Sequence, residues 1–401
     1  MSKVQGDRSK LVSRRTVLKA GAAAGGVVAA SLGMPRMLHA AEPIRVGVLQ
    51  PFSGGLEVLG AQGLEGAQMA LDEANEAGGV LGGRKFEIVK ADVKTDPKTA
   101  VERTTELIQR DKVTAIIGPV TSANRDAMQP TIERYKTPLL YATDYEGGVC
   151  SRYITCYSAL PAHWVNPFIP YLKENYGDTF YLFGSDYVWP QKMNEAIRKV
   201  ATDAGGTVVG EEYTPFAVKD FTSTVRKIDA SGAKVLVLDV VGADAITFVK
   251  QFVAAGVKKK CTIAFFGYSE NYLSGFTKEE SEGIVCPANF IATLDRPEAK
   301  AFVEKVRARF GKDAVVSNTV DAHYMLTRFF VEGVKRAGSD DREKITDAMV
   351  GQSLMSGNGM VTLRAEDRHA DLNVLIAETH DGELVLKKYI GAVKAPSQCA
   401  K

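Results

Sequence analysis

Short apolar runs alternate with amphipathic stretches along most of the chain. Residues 44–49 (IRVGVL) read as a strand. Residues 64–77 read as a helix, with Leu64, Ala67, Ala70, Leu71 and Ala74 on one face. Gly78 and Gly79 end it, as glycine does past a helix terminus. A strand at 85–91 follows, and then a helix marked by Ala100, Val101, Thr104, Leu107 and Ile108 at helical spacing. TAIIG is a strand, residues 123–135 a helix, and PLLYA a strand. The pattern then restarts. Helices at 162–175, 191–204, 221–230 and 243–255 alternate with strands at 179–183, TVVGEEY, KVLVLD and TIAFFG. Such alternation predicts βαβ units and parallel sheets, an α/β fold. Two rounds predict two doubly wound lobes. The C-terminal third breaks the rhythm, with helices at 299–310 and 321–337 and strands at LNVLIAE and ELVLKKY. It is too short for a third lobe and reads as additions to the first two. The lobes are expected to join near residues 154–160, 290–295 and 356–362, giving 42–158 plus 291–360 for the N-terminal lobe and 159–290 plus 361–395 for the C-terminal one.

The first 40 residues do not fit this pattern. SRRTVLK is followed by a Gly/Ala-rich apolar run of 13 residues, then MLHAAEP. A membrane span needs roughly 20 residues. A basic region, a short apolar stretch and the small residues Ala40 and Ala41 describe an export signal. The pair Arg14–Arg15 resembles a twin-arginine signal, although Val17 stands where Phe is commoner. The leader holds seven of the 50 basic side chains and one of the 48 acidic ones, so the remainder carries 43 and 47, net −4. That balance argues against a nucleic-acid partner. No later apolar run is long enough to span a bilayer, so membrane contact is expected only through a partner.

All five cysteines follow the leader. Cys150 and Cys156 lie six apart, and an exported chain permits a bridge between them. Two half-buried thiols are the rival reading, and Cys261 with Cys286 is a second possible pair. No C-x-x-C occurs.

In open α/β sheets ligands bind beyond the carboxyl ends of the strands. The segments there are PVTSANRDA, TDYEGG, GSDYVWP, DVVGADA and GYSENY. Polar and aromatic residues recur in them. Ser122 is placed to cap a helix whose N-terminus offers free N–H groups, but it is equally an ordinary cap. Thr143 and Asp144 either face a ligand or start a turn. Tyr187 and Trp189 either stack on a solute or pack on their own helix. Asp239 is a ligand contact, a helix cap or a hydrogen bonder at the hinge, and Tyr268 and Glu270 close the set. Catalytic patterns are absent. There is no G-x-S-x-G, H-E-x-x-H, P-loop or dinucleotide fingerprint, and His163, His323, His369 and His380 adjoin no candidate nucleophile. The residues point to binding without turnover, with no metal and no cofactor.

IRVGVLQPFSGGLEVLG, AGGVLGGRKFEIV, GPVTSANRDAMQP and GSDYVWP resemble the type 1 periplasmic solute-binding proteins of ABC importers, in the branched-chain amino acid and amide class. The resemblance runs from residue 44 to about 390. YATDYEG and GSDYVWP are similar to the urea-binding and short-amide-sensing branch. The resemblance implies two Rossmann-like lobes with parallel sheets, joined by three crossovers and closing on a small molecule, in a periplasmic protein that serves ABC permease subunits. It also implies roles by position. Thr121 and Ser122 match the helix start that holds ligand in the first lobe. Tyr141 and Thr143 match ligand-facing positions of the amide branch, and Tyr187 and Trp189 match pocket aromatics. Asp239, Val240 and Val241 match the strand end of the second lobe. Val120 and Asp144 depart from the amide sensor, which has an aromatic and a proline there. Several acids near the strand ends favour a ligand rich in N–H, so urea or a short amide ranks first and an amino acid second. An exported α/β enzyme or a ligand sensor is the reading of a different class.

Overall fold

The computed structural model describes residues 42–399. The leader therefore lies outside the described residues.

Ile44–Gln50 (β1), Glu57–Glu76 (α1), Phe86–Asp92 (β2), Pro97–Gln109 (α2), Ala115–Ile117 (β3), Ser122–Arg134 (α3), Leu139–Tyr141 (β4) and Ile154–Cys156 (β5) make the first round. The strands form a parallel sheet in the order β2-β1-β3-β4-β5. The second round comprises Pro161–Asn175 (α4), Thr179–Ser185 (β6), Val188–Asp203 (α5), Thr207–Thr214 (β7), Thr222–Ser231 (α6), Val235–Asp239 (β8), Gly242–Ala254 (α7), Thr262–Phe265 (β9), the short helices Glu270–Leu273 (α8) and Lys278–Ser281 (α9), and Val285–Ala288 (β10). Its parallel strands run β7-β6-β8-β9-β10, the same winding as the first sheet. Every residue of β3, β4, β5 and β8 is buried, as expected of strands covered by helices on both faces.

The chain then returns to the first lobe with Pro297–Phe310 (α10), Asn318–Ala337 (α11) and Arg342–Met349 (α12). Helix α11 packs along α1. Gly66 allows this, because a Cβ there would lie 2.4 Å from the Val320 carbonyl oxygen. The hairpin Gln352–Ser356 (β11) and Gly359–Leu363 (β12) leads to Ala370–His380 (β13) and Glu383–Val393 (β14). β13 runs antiparallel to β10, and β14 pairs antiparallel with β13. His369, one residue before β13, bridges to Cys156 of the first sheet.

One sequence expectation is corrected. Cys150 does not pair with Cys156. It forms a disulfide with Cys399, 249 residues away, at a Cα separation of 5.1 Å. Cys156 faces the core of β5 and is fully buried, and burial pushes its thiol up to about 12. Cys150 lies in the exposed loop after β4 and faces the C-terminal tail. Cys261 and Cys286 are also buried and free. Val285 sits opposite Ala264 across β9 and β10, so these two cysteines are offset by about 13 Å at ~3.3 Å per residue, beyond disulfide reach.

Candidate functional site

Both sheets reverse their winding beside their central strands, and the two switch points face each other. A chamber of ≈ 60 Å³ lies between them. The first lobe supplies Leu59, Val120, Ser122, Thr143, Asp144 and Thr319. The second supplies Tyr187, Trp189, Val241, Gly267 and Tyr272. A smaller space of ≈ 30 Å³ adjoins it, lined by Asn318, Thr319, Ala142 and residues shared with the main chamber. The lobes touch above the chamber, where the Ala243 N–H donates to the Gly55 carbonyl at 3.4 Å.

Ser122 opens α3, whose N-cap is Thr121; the Thr121 hydroxyl accepts from the Asn124 N–H at 3.3 Å. The Ser122 hydroxyl does not stand free. It donates to Glu146 Oε2 at 2.7 Å and accepts from Arg125 Nη1 at 3.3 Å. Arg125 Nη2 reaches Glu146 Oε1 at 2.8 Å and Asp126 Oδ1 at 2.8 Å. The side chains of Arg125 and Glu146 are only 2 % and 8 % exposed. The guanidinium carbon lies 4.9 Å from the Tyr141 ring centre and 4.5 Å from that of Tyr145. An Arg–Glu pair flanked by two aromatic rings thus supports Ser122 from behind.

Asp144 Oδ1 accepts the Ala159 N–H at 2.8 Å. Burial, partly offset by that bond, pushes its carboxyl up to about 7. Thr143 makes only a long 3.5 Å contact to the Pro119 carbonyl. Across the chamber, the rings of Tyr187 and Trp189 lie 6.3 Å apart at 28°. Trp189 is 4 % exposed, and its indole N–H has no partner. Tyr272 accepts the Gly242 N–H at 3.0 Å, and burial pushes its phenol up to about 12. No Lys, Arg or His side chain lines the wall.

Of the residues singled out from the sequence, Val120, Ser122, Thr143, Asp144, Tyr187, Trp189 and Val241 meet at this chamber. The others lie behind it. Thr121 caps α3, and Tyr141 is fully buried with its hydroxyl donating to the Val120 carbonyl at 3.0 Å. Val240 is buried. Tyr268 turns away to Thr379 Oγ1 at 3.1 Å. Asp239 is wholly buried at the end of β8, neither carboxyl oxygen has a hydrogen-bond partner, and burial pushes its pKa far up. Leu59, Gly267, Tyr272 and Thr319 were not anticipated. Tyr272 could have been found from GYSENY, the segment that also holds Tyr268. Leu59 and Thr319 sit in helices α1 and α11 and carry no local signal. Among the described residues, no group of three or more His, Cys, Asp or Glu is placed to hold a metal ion.

Comparison with known proteins agrees with this architecture. A family model described as Periplasmic binding protein matches residues 43–383. A Leu/Ile/Val-binding protein homolog 6 from Brucella melitensis is 25% identical over 347 residues, covering 84% of this chain and 88% of the relative. A leucine-, isoleucine-, valine-, threonine- and alanine-binding protein from Pseudomonas aeruginosa is 24% identical, over 77% of this chain and 83% of its own. Among solved structures, an ABC-transporter solute-binding protein from R. palustris in complex with benzoate superposes with a TM-score of 0.81 at 22% identity, covering 89% and 99% of the two chains. The branched-chain amino acid transporter protein LivJ from Streptococcus pneumoniae, in complex with isoleucine, gives 0.77 at 22% identity, covering 86% and 100%. With its two like-wound parallel sheets, its chamber between facing switch points and a family match over most of its length, the chain belongs to the periplasmic binding proteins and has their type 1 fold.

Proposed function

We infer that the chain is an exported solute-binding protein that delivers a small neutral solute rich in N–H groups, urea or a short-chain amide, to an ABC-type importer. The observation that carries this reading is the chamber itself: ≈ 60 Å³, walled by Tyr187, Trp189 and Tyr272, with Asp144 as its one carboxyl and no basic side chain. One water needs about 10–15 Å³, so the space is larger than a water site and suits a solute of a few non-hydrogen atoms. Urea and acetamide are of that size. The adjoining space beside Thr319 would take the short alkyl tail of a longer amide. A buried polar ligand needs its N–H groups matched, since each unpaired one costs about 1–3 kcal/mol. Asp144 supplies an acceptor.

A branched-chain or other amino acid is the second reading. The names of the Brucella and Pseudomonas relatives favour it. The main-chain N–H groups at the start of α3 are the donors available to its carboxylate. Calorimetric titration with urea, acetamide and leucine, with mass spectrometry of any solute retained through purification, separates the two. Saturable leucine binding without amide binding overturns the first reading.

The family and the leader together support a periplasmic location. Replacing Arg14 and Arg15 by Lys preserves charge but not guanidinium geometry. Precursor should then accumulate in the cytoplasm; normal export would reduce the leader to an ordinary secretory signal.

A further inference from the structure

Ser122 is the polar side chain of the chamber at the start of α3, and its hydrogen bonds are not symmetrical. A hydroxyl has one proton to give and two lone pairs. The Ser122 proton goes to Glu146 Oε2 at 2.7 Å. One lone pair receives Arg125 Nη1 at 3.3 Å. What remains for the chamber is a lone pair and no proton. The Arg125 charge behind it is answered by Glu146 at 2.8 Å and Asp126 at 2.8 Å.

We propose that Glu146 is a positioning residue that fixes Ser122 as a hydrogen-bond acceptor and thereby makes the site discriminate against carboxylate ligands. The ligand class that follows is the neutral amide, which brings N–H to Ser122 and Asp144. A carboxylate of the same shape meets a lone pair on Ser122 and, wherever Asp144 is ionised, a like charge, and it finds no basic side chain on the wall. A mismatch of this kind, acceptor against acceptor in a buried site, is how a pocket rejects an isostere that its volume would admit. The inference rests on the amide reading of the chamber and names the device that would enforce it.

Glu146→Gln reverses the polarity. The amide oxygen of Gln stays on Arg125, and its NH₂ donates to the Ser122 oxygen. The Ser122 proton is then free for the ligand, and Arg125 has lost one of its two acids. Acetamide and acetate are nearly isosteric, so their affinity ratio reads the polarity of the site and not its volume. The expected result is a strong preference for acetamide in the unmodified protein and a fall of at least tenfold in that preference in Glu146→Gln, with acetate binding gained. An unchanged ratio in a folded Glu146→Gln protein, alongside a clear acetamide preference in the parent, overturns the proposal and leaves the amide reading standing. A parent that prefers acetate overturns both. Ser122→Ala covers the case in which Glu146→Gln does not fold. It should cost acetamide affinity severalfold, whereas a hydroxyl that serves only the Arg125–Glu146 pair would leave it unmoved.

Discussion

The ring of Tyr187 lies over that of Trp189 at 6.3 Å and 28°, and the Phe216 ring lies 5.7 Å from that of Tyr187. Two of the three chamber aromatics thus belong to a three-ring cluster at the mouth of β6. Trp164, the other tryptophan after the leader, is buried elsewhere, with its N–H bonded to Asn289 Oδ1 at 3.1 Å. A solute in the chamber should therefore change the emission of Trp189 and hardly touch Trp164. Trp189→Phe should abolish most of the ligand-dependent fluorescence change and weaken binding by about 1 kcal/mol. Trp164→Phe should preserve both. Retention of the signal in Trp189→Phe would remove the aromatic wall from the binding site.

Gly242 lies against Gly55 where the two lobes meet. A Cβ on Gly242 would lie 2.4 Å from the Gly55 carbonyl oxygen, and its φ of +67° disfavours any other residue. Gly242→Ala should lower stability by about 1 kcal/mol through the backbone alone. Affinity should fall further, by tenfold or more, because the closed contact is blocked. Small-angle scattering should show compaction with saturating ligand in the parent and little in the variant. Full compaction at parental affinity would mean that this contact does not matter for closure.

The Cys150–Cys399 disulfide ties the loop bearing Thr143 and Asp144 to the C-terminal tail. Gly148 N–H also donates to Gln398 Oε1 at 2.7 Å, and Gln398 N–H to Asp367 Oδ2 at 2.9 Å. Cys399→Ser should cost about 2–4 kcal/mol in denaturant unfolding and weaken ligand binding at the same time. Loss of stability with unaltered binding would show that the loop keeps its shape without the tail.

Asp321 is buried on α11, and one of its oxygens has no partner. Burial pushes its carboxyl from 3.8 to about 7. Between those values the folded state holds a proton that the unfolded state has released. The contribution of Asp321 to stability therefore falls as pH rises from about 4 through 7. Asp321→Asn does not titrate. Its melting temperature relative to the parent should increase from pH 5 to pH 8, and a pH-independent difference would place the ionised carboxylate comfortably in the fold.

The two parallel sheets were legible because strand and helix periods differ and the alternation repeats twice. The start of α1 was not. The segment EVLGAQG has no apolar stripe, yet it is helical from Glu57, with Gly60 and Gly63 among its buried residues. The helix after β6 also begins earlier than the expected residue 191. Pro190 suggests a loop, but it falls in the first turn of α5, where no N–H is needed, so Trp189 stands on a helix. The strand ends located Ser122, Thr143, Asp144, Tyr187 and Trp189 because topology alone sends those segments to the cleft. The Ser122–Glu146–Arg125 arrangement was hidden. Its members are 3 and 21–24 residues apart, and nothing in their spacing tells which oxygen holds the proton. Cys399 was missed because the tail was given no place in the fold.

The winding is the same in both halves, but the halves do not contribute alike. The aliphatic hydroxyls and the carboxyl come from the first lobe, at Ser122, Thr143, Asp144 and Thr319, and the rings come from the second, at Tyr187, Trp189 and Tyr272. This separates arrival from departure. On the solute-binding function proposed above, a solute entering an open cleft should be oriented first by the polar half, before the lobes meet. The aromatic half should then touch it only on closure and set how long the solute stays. Substitutions at Ser122 or Asp144 should appear mainly in which molecules are captured, and those at Tyr187 or Trp189 mainly in the dissociation rate, the quantity in which most affinity differences between related sites reside. A transporter that waits for a closed partner would feel the second kind of change as a shorter residence time for the loaded form, even with the choice of cargo intact.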